Sequence, residues 1–251
     1  MPKPTDSITR RQALVAGGAA LGGLALGTST VLGQNDDESR RYRVTIANNT
    51  PGQPFTPPAV AAHTADIEVF AVGEPANEPT RQLAENGDLG PLSDLATSAD
   101  EVRGVAVGDA PLVPQADPAG TGNPWYTMLH LTADEEATFL TFASMLIATN
   151  DGIVGLDTVP LPSHVNESRT YYANGYDVGT EQNTELFADM VPPAKTLIIG
   201  GEPEGTAESD EDIAEDDVIR PHPGIQGVGN LPPEVYDWDE PAALVQVERL
   251  G

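Results

Sequence analysis

The stretch "ATNDGIVGLDTVPL", residues 148–161, sets the polar tetrad Thr149-Asn150-Asp151-Gly152 into sequence that is otherwise largely apolar from Thr138 to Leu161. The apolar runs on either side are short and rich in β-branched and large side chains, as strands are. Asn, Asp and Gly make tight turns cheap through their side-chain hydrogen bonds and permissive φ angles, so the tetrad reads as the reversal between two strands. A carboxylate in such surroundings has a second reading, as a metal ligand. On this stretch alone both readings stand.

Working outward, strand-like segments recur between Pro, Gly, Asn and Asp clusters. "RYRVTIAN" alternates Tyr42, Val44 and Ile46 with Arg41, Arg43 and Thr45, the period of two of a half-buried strand. "IEVFAVG", "VRGVAVG", "YTMLHLTA", "TFLTFASMLIA", "IVGLDTV", "TYYANGY", "KTLIIGG" and "ALVQVERL" complete nine candidates. They predict an all-β fold, an antiparallel β-sandwich of about eight strands. Only "RQLAENGDLGPLSDLAT" reads as helix, with Leu83, Leu92 and Leu95 as its packing residues, and no fixed-period repeat points to a propeller or solenoid. Residues 201–217, "GEPEGTAESDEDIAEDD", carry nine carboxylates and predict a solvated, mobile loop between two strands.

The chain has 251 residues, room for one sizeable domain with appendages. Twelve Lys and Arg oppose 39 Asp and Glu, a net charge of −27, and only Lys3 and Lys195 are lysines. Such a surface repels phosphate backbones and anionic lipid, which excludes nucleic acid as a partner. Self-repulsion of this size is relieved when the Debye length falls to about 3 Å at 1 M salt, so the composition reads as halophilic, as in an archaeon living in concentrated salt.

At the N-terminus, Arg10-Arg11 precede a Gly/Ala/Leu stretch, the layout of a twin-arginine export signal over residues 1–33, with a short polar linker at 34–41. The apolar core from Ala13 to Leu26 is short and Gly-rich for a membrane span, so membrane association is expected only if the signal is kept as an anchor. The expected location is extracellular or the cell surface. There is no cysteine, so no lipidated Cys, no disulfide and no thiolate copper site is available.

Familiar catalytic and cofactor signatures are missing: no G-x-S-x-G, H-E-x-x-H, Walker A or post-strand G-x-G-x-x-G occurs. His63, His130, His164 and His222 lie far apart, and His130 reads as a strand residue. An EF-hand read from Asn150 fails at its third and fifth positions, Gly152 and Val154.

A wider constellation links the opening stretch to "YYANGYDVGTEQNTELF", residues 171–187. Ser144-Met145, Thr149-Asn150-Asp151, Val154-Gly155-Leu156 and Tyr176-Asp177-Val178-Gly179-Thr180-Glu181 follow in order, with "YRVTIANNTPGQPFTPPAVAAH" and "LAENGD" before them. In this combination the chain resembles the spondin domain of the F-spondin and mindin family across residues 42–250. The resemblance implies a sandwich related to calcium-dependent phospholipid-binding modules, with calcium among the loops at one end. Carried onto this sequence, the metal ligands are Asp151, Asp177 and Glu181. The chain departs in having Glu at 181, where animal relatives commonly have Asp, and in lacking their nearby cysteines.

Chemistry supports the same set. Calcium takes six to eight oxygens from flexible loops, and three carboxylates brought together repel unless a cation lies between them. Asp151 follows one predicted strand and Asp177 with Glu181 another, so both loops can meet at one rim. Asn150 and Asp157 are secondary donors to the same ion. The expected function is non-catalytic recognition or adhesion, with calcium and an unidentified cell-surface or extracellular partner. Two alternatives remain: a structural envelope protein without a specific ligand, and a secreted hydrolase using carboxylates such as Glu85 and Glu181. An exposed aromatic patch favours the first reading, a deep cleft holding a carboxyl of raised pKa the hydrolase, and featureless acidic loops the envelope protein.

Overall fold

The computed structural model describes residues 39–251; Arg10, Arg11 and the export signal lie outside them. In chain order the elements are β1 (Arg40–Asn48), β2 (Ala59–His63), α1 (Glu78–Asn86), α2 (Gly90–Ser98), β3 (Val102–Val107), β4 (Tyr126–Ala133), β5 (Phe139–Met145), β6 (Gly152–Pro160), β7 (Ser168–Asp177), α3 (Pro193–Ile199), β8 (Arg220–Pro221), α4 (Pro233–Tyr236) and β9 (Ala243–Arg249). The strands run β3-β2-β5-β6-β7-β9-β1-β4, all antiparallel, with β8 paired to β7. The all-β class therefore holds. Among the described residues no helix is long and apolar enough to cross a membrane.

One strand joins the two layers. Ser168–Ala173 of β7 pair with β9, while Asn174–Asp177 pair with β6, so β7 leaves one sheet and enters the other. The outer strands β3 and β4 pack against each other at the seam, where a Cβ on Gly104 would lie 2.1 Å from the Thr132 carbonyl oxygen. Only glycine allows that approach, and it brings the sandwich close to a closed barrel.

The two layers differ in how they are covered, and their sequences record it. In β1, β4 and β9, and along much of β7, inward residues are buried while outward ones are exposed or half-exposed, because no other described element packs on the outer face. Tyr42, Val44, Ile46, Leu129, Leu131, Val245 and Val247 fill the core from this side. β5 and the first half of β6 are buried on both faces, since α1 and the Val69-Phe70 segment cover them. Burial on two faces removes the need for polar alternation, which explains the unbroken apolar runs around the tetrad.

α1 starts at Asn77, whose side chain accepts from the Thr80 N–H at 2.9 Å, and ends at Gly87 in the left-handed region with φ +65°. It buries Leu83 and Ala84. α2 follows as expected, but none of its residues is buried, so Leu92 and Leu95 pack only partly.

Several expectations are corrected. "KTLIIGG" lies in α3, not a strand: Pro192-Pro193 start it, Gly200 ends it at φ +68°, and Ala194, Leu197 and Ile198 bury one face at helical spacing. "IEVFAVG" forms no strand, because the Val69 carbonyl is taken by Asn77 Nδ2 at 2.7 Å and the Thr80 hydroxyl. β2, "AVAAH", is a strand despite its alanines, held between β3 and β5. Arg40 and Arg41 belong to β1 and not to a linker. Residues 201–217 connect α3 to β8, and part of the segment is tied down: Gln182 N–H donates to the Ile213 carbonyl at 2.8 Å and Glu215 N–H to the Thr180 carbonyl at 2.7 Å.

Candidate functional site

The tetrad is a turn and also a buried carboxylate. Thr149 Oγ1 donates to the Leu146 carbonyl at 2.6 Å and accepts from Gly152 N–H at 2.9 Å, stapling the reversal between β5 and β6. That leaves Asp151 at the mouth of β6, where Gly152 pairs with Asp177 at the end of β7. Glu181 follows four residues after Asp177, bridged to Ala214. Asp151, Asp177 and Glu181 are all buried, so the fold brings the three sequence-predicted carboxylates to one rim.

Their partners differ. Asp151 Oδ2 accepts from Thr180 N–H at 2.7 Å and Glu181 N–H at 3.0 Å, while its buried Oδ1 has no hydrogen-bond partner. Burial, and then the charge of Asp177, push the Asp151 carboxyl up to about 7 against the pull of these two N–H donors. Asp177 is fully engaged. Its Oδ1 accepts from Gly179 N–H at 2.9 Å, and its Oδ2 from Asn183 Nδ2 at 2.7 Å and Arg220 Nη2 at 3.2 Å. Gly179 holds φ +73°, which lets the chain turn back onto that carboxylate. Glu181 Oε1 accepts from Asp210 N–H at 3.1 Å; burial, with the charges of Glu85, Asp151 and Asp210, pushes its carboxyl up to about 8.

The secondary donors are placed elsewhere or already used. Asn150 Oδ1 accepts from Glu185 N–H at 3.2 Å and its Nδ2 donates to Thr184 Oγ1 at 3.1 Å, so this residue ties the 184–185 segment to the turn. Asp157 lies six residues along β6 from Asp151, roughly 20 Å at 3.3 Å per residue, and its charge acts on His63 and Tyr176. It takes no part in the rim. Sequence reading also missed Arg220, which sits opposite Asp177 in the β7–β8 pair and also bonds Asp217. Its signal was an isolated arginine just after the nine-carboxylate run.

Glu85 and Glu181 share a cleft of about 330 Å³, lined also by Arg81, Ser209 and Asp210. Glu85 is buried and fixed by Arg81 Nη1 at 3.0 Å and by the Ser209 hydroxyl. His130 stands outward and exposed on β4.

Calcium can be tested against these donors. The unpaired, buried Asp151 Oδ1 suits a hard cation, and Glu181 adds a second carboxylate beside it. Asp177 already has a cation in Arg220. Among the described residues, no group of three His, Asp or Glu side chains is arranged to hold a metal. Of the three carboxylates, Asp151 and Glu181 are thus the two not already paired with a cation among the described residues.

The family model described as Spondin_N matches residues 46–196, a span that includes Asp151, Asp177 and Glu181 and stops before Arg220. Among curated proteins, none matches the chain.

Proposed function

The chain belongs to the Spondin_N family, and from that premise we propose that it is an exported, calcium-binding domain for recognition or adhesion at the cell surface or outside the cell, without catalysis. The observation that carries the metal is Asp151: a carboxylate with no exposed surface and one oxygen lacking any donor. A buried carboxylate needs either a proton or a compensating cation, and burial with the charge of Asp177 pushes this carboxyl up to about 7. Asp151 and Glu181 would hold the ion. Asp177, neutralised by Arg220 and engaged through both oxygens, keeps the two loops in register beside the ion.

The recognition role is supported by the exposed aromatic side chains on the uncovered sheet, the feature expected of a binding module. Replacing both Arg10 and Arg11 by Lys tests the export route, since the protein should then remain in the cytoplasm. Unchanged surface or medium levels would count against it.

Calorimetry on demetallated protein in concentrated KCl tests the metal. One equivalent of calcium should bind, and Asp151→Asn should abolish uptake, while neutralising Asp210, Glu211 and Asp212 together should leave it almost unchanged. No stoichiometric uptake by the wild type would sink the calcium reading.

One observation favours a second reading. Glu181, with its raised pKa, shares a cleft with Glu85, the pairing a carboxylate-dependent hydrolase would use. Against it, Glu85 is already bound by Arg81 and Ser209. Hydrolysis of a panel of chromogenic glycosides that is lost in Glu181→Gln would establish this reading in place of the first.

A further inference from the structure

Among the described residues no other element covers the outward face of β4-β1-β9-β7, and it departs from the rest of the molecule in charge. Of the chain's 39 acidic residues only Glu248 and Asp177 fall within these four strands. Asp177 points inward at the rim, and Glu248 is paired across the strands with Arg43. The face itself is therefore neutral or slightly basic in a chain of net charge −27.

The strand registers also line up its apolar side chains. Tyr126 faces Ala47, Ala47 faces Leu244, and Leu244 faces Tyr172, which makes one row across all four strands. Trp125 packs its ring edge-on against Tyr126 at 5.0 Å between centroids, and Met128 stands in the next row. Among the described residues, Trp125, Tyr126 and Tyr172 are the exposed large aromatics, and Tyr172 is 66% exposed.

We propose that this face is where two copies of the chain associate. Two molecules of this charge that meet elsewhere must bring carboxylates together and strip their water, a cost that persists even where salt has screened the long-range repulsion. Here the only carboxylate already has its guanidinium. The aromatic ends of the row suit a two-fold axis, which sets Tyr126 of one copy against Tyr172 of the other. Four strands about 4.8 Å apart and seven residues long offer a patch of roughly 15 by 20 Å, small beside the ~800 Å² per partner of a standard interface. The dimer is therefore a weak, transient one, strengthened by concentrated salt.

This inference deepens the recognition reading by naming the partner, and it does not depend on calcium. Sedimentation velocity on the purified protein at about 1 M KCl and above, with and without chelator, should show a monomer–dimer equilibrium that chelation leaves unchanged. Leu244→Glu and Tyr172→Glu should each weaken it at least tenfold with little change in melting temperature. Val228→Glu, at an exposed position off the face, should leave it intact. A wild type that stays monomeric up to several hundred micromolar overturns the proposal, as does a Leu244→Glu dimer of unchanged affinity. If the monomer instead binds a glycan or a neutral vesicle through Tyr172, self-association falls while recognition stands.

Discussion

The rim at Asp151 and the outer face at Tyr172 are carried on one strand, β7, and they handle charge in opposite ways. At the rim, carboxylates are buried and held by backbone N–H groups, an amide and an arginine, with one oxygen of Asp151 left over. On the face, charge is almost absent and what remains is paired at the surface. Buried charge is costly and specific, so the rim suits a small hard ion. An uncharged, aromatic-bearing surface is cheap to desolvate and suits a macromolecule.

Among ion pairs, the largest effect should come from breaking the rim's own. Arg220→Leu leaves the buried Asp177 without its cation, and should cost about 3 kcal/mol, near the lower end for a broken buried pair because Arg220 is partly exposed. Arg43→Leu, which breaks the exposed pair with Glu248 on the face, should cost under about 1 kcal/mol. Urea titrations in concentrated KCl measure both; equal costs would erase the distinction between the two regions.

Next comes the metal. At free calcium ~100 times Kd the ion should stabilise the fold by about 2.7 kcal/mol, so chelation should lower the melting temperature by several degrees. Leu244→Ser on the face should leave that calcium-dependent shift at its wild-type size.

The pH dependence sharpens the contrast further. The Asp151 and Glu181 carboxyls, raised to about 7 and about 8, hold protons in the folded state after the unfolded chain, with ordinary values of about 4, has released them. Their contribution is full below pH about 4 and is lost as pH rises towards 8, at up to roughly 1.4 kcal/mol per unit for each group. His222, buried and pushed down to about 4, acts in the opposite sense below its ordinary value. The informative quantity is thus the difference between wild type and Asp151→Asn in chelator: the variant should lose less stability towards pH 8 and be the more stable of the two there. Identical slopes would show that the Asp151 proton plays no part. The smallest effect belongs to the face, where Tyr172→Ser should change the stability of the monomer by no more than about 0.5 kcal/mol.

How much of this was legible in the sequence depended on what covered each segment. β1 could be read from its alternation because no described element covers its outer face, and β5 and β6 from length and turn chemistry even though covering on both faces had erased theirs. "KTLIIGG" misled because its β-branched composition outweighed the Pro-Pro start, the Gly stop and the helical spacing of Ala194, Leu197 and Ile198. At the rim, Asp151, Asp177 and Glu181 were picked out by the family resemblance, and the pairing of Gly152 with Asp177 brings their loops together. Arg220 was not picked out, because it arrives on a two-residue strand after a long acidic segment. Asp157 was misplaced because closeness in sequence was taken for closeness in space, while an extended strand carries each further residue away from the rim.

The place of β9, described above as the neighbour of both β1 and β7, also fixes an order in time. The rim is framed by β5, β6 and β7, which follow one another in the chain, and is complete once Asp210, Ala214 and Arg220 have joined it. The face waits for Ala243–Arg249, the last strand, to reach back some two hundred residues to β1. At a synthesis rate of about 5–20 residues per second, the last residue of the rim, Arg220, is made about a second or more before Ala243–Arg249 complete the face. Nascent chains crowded on one messenger therefore have no finished face with which to associate until each is complete.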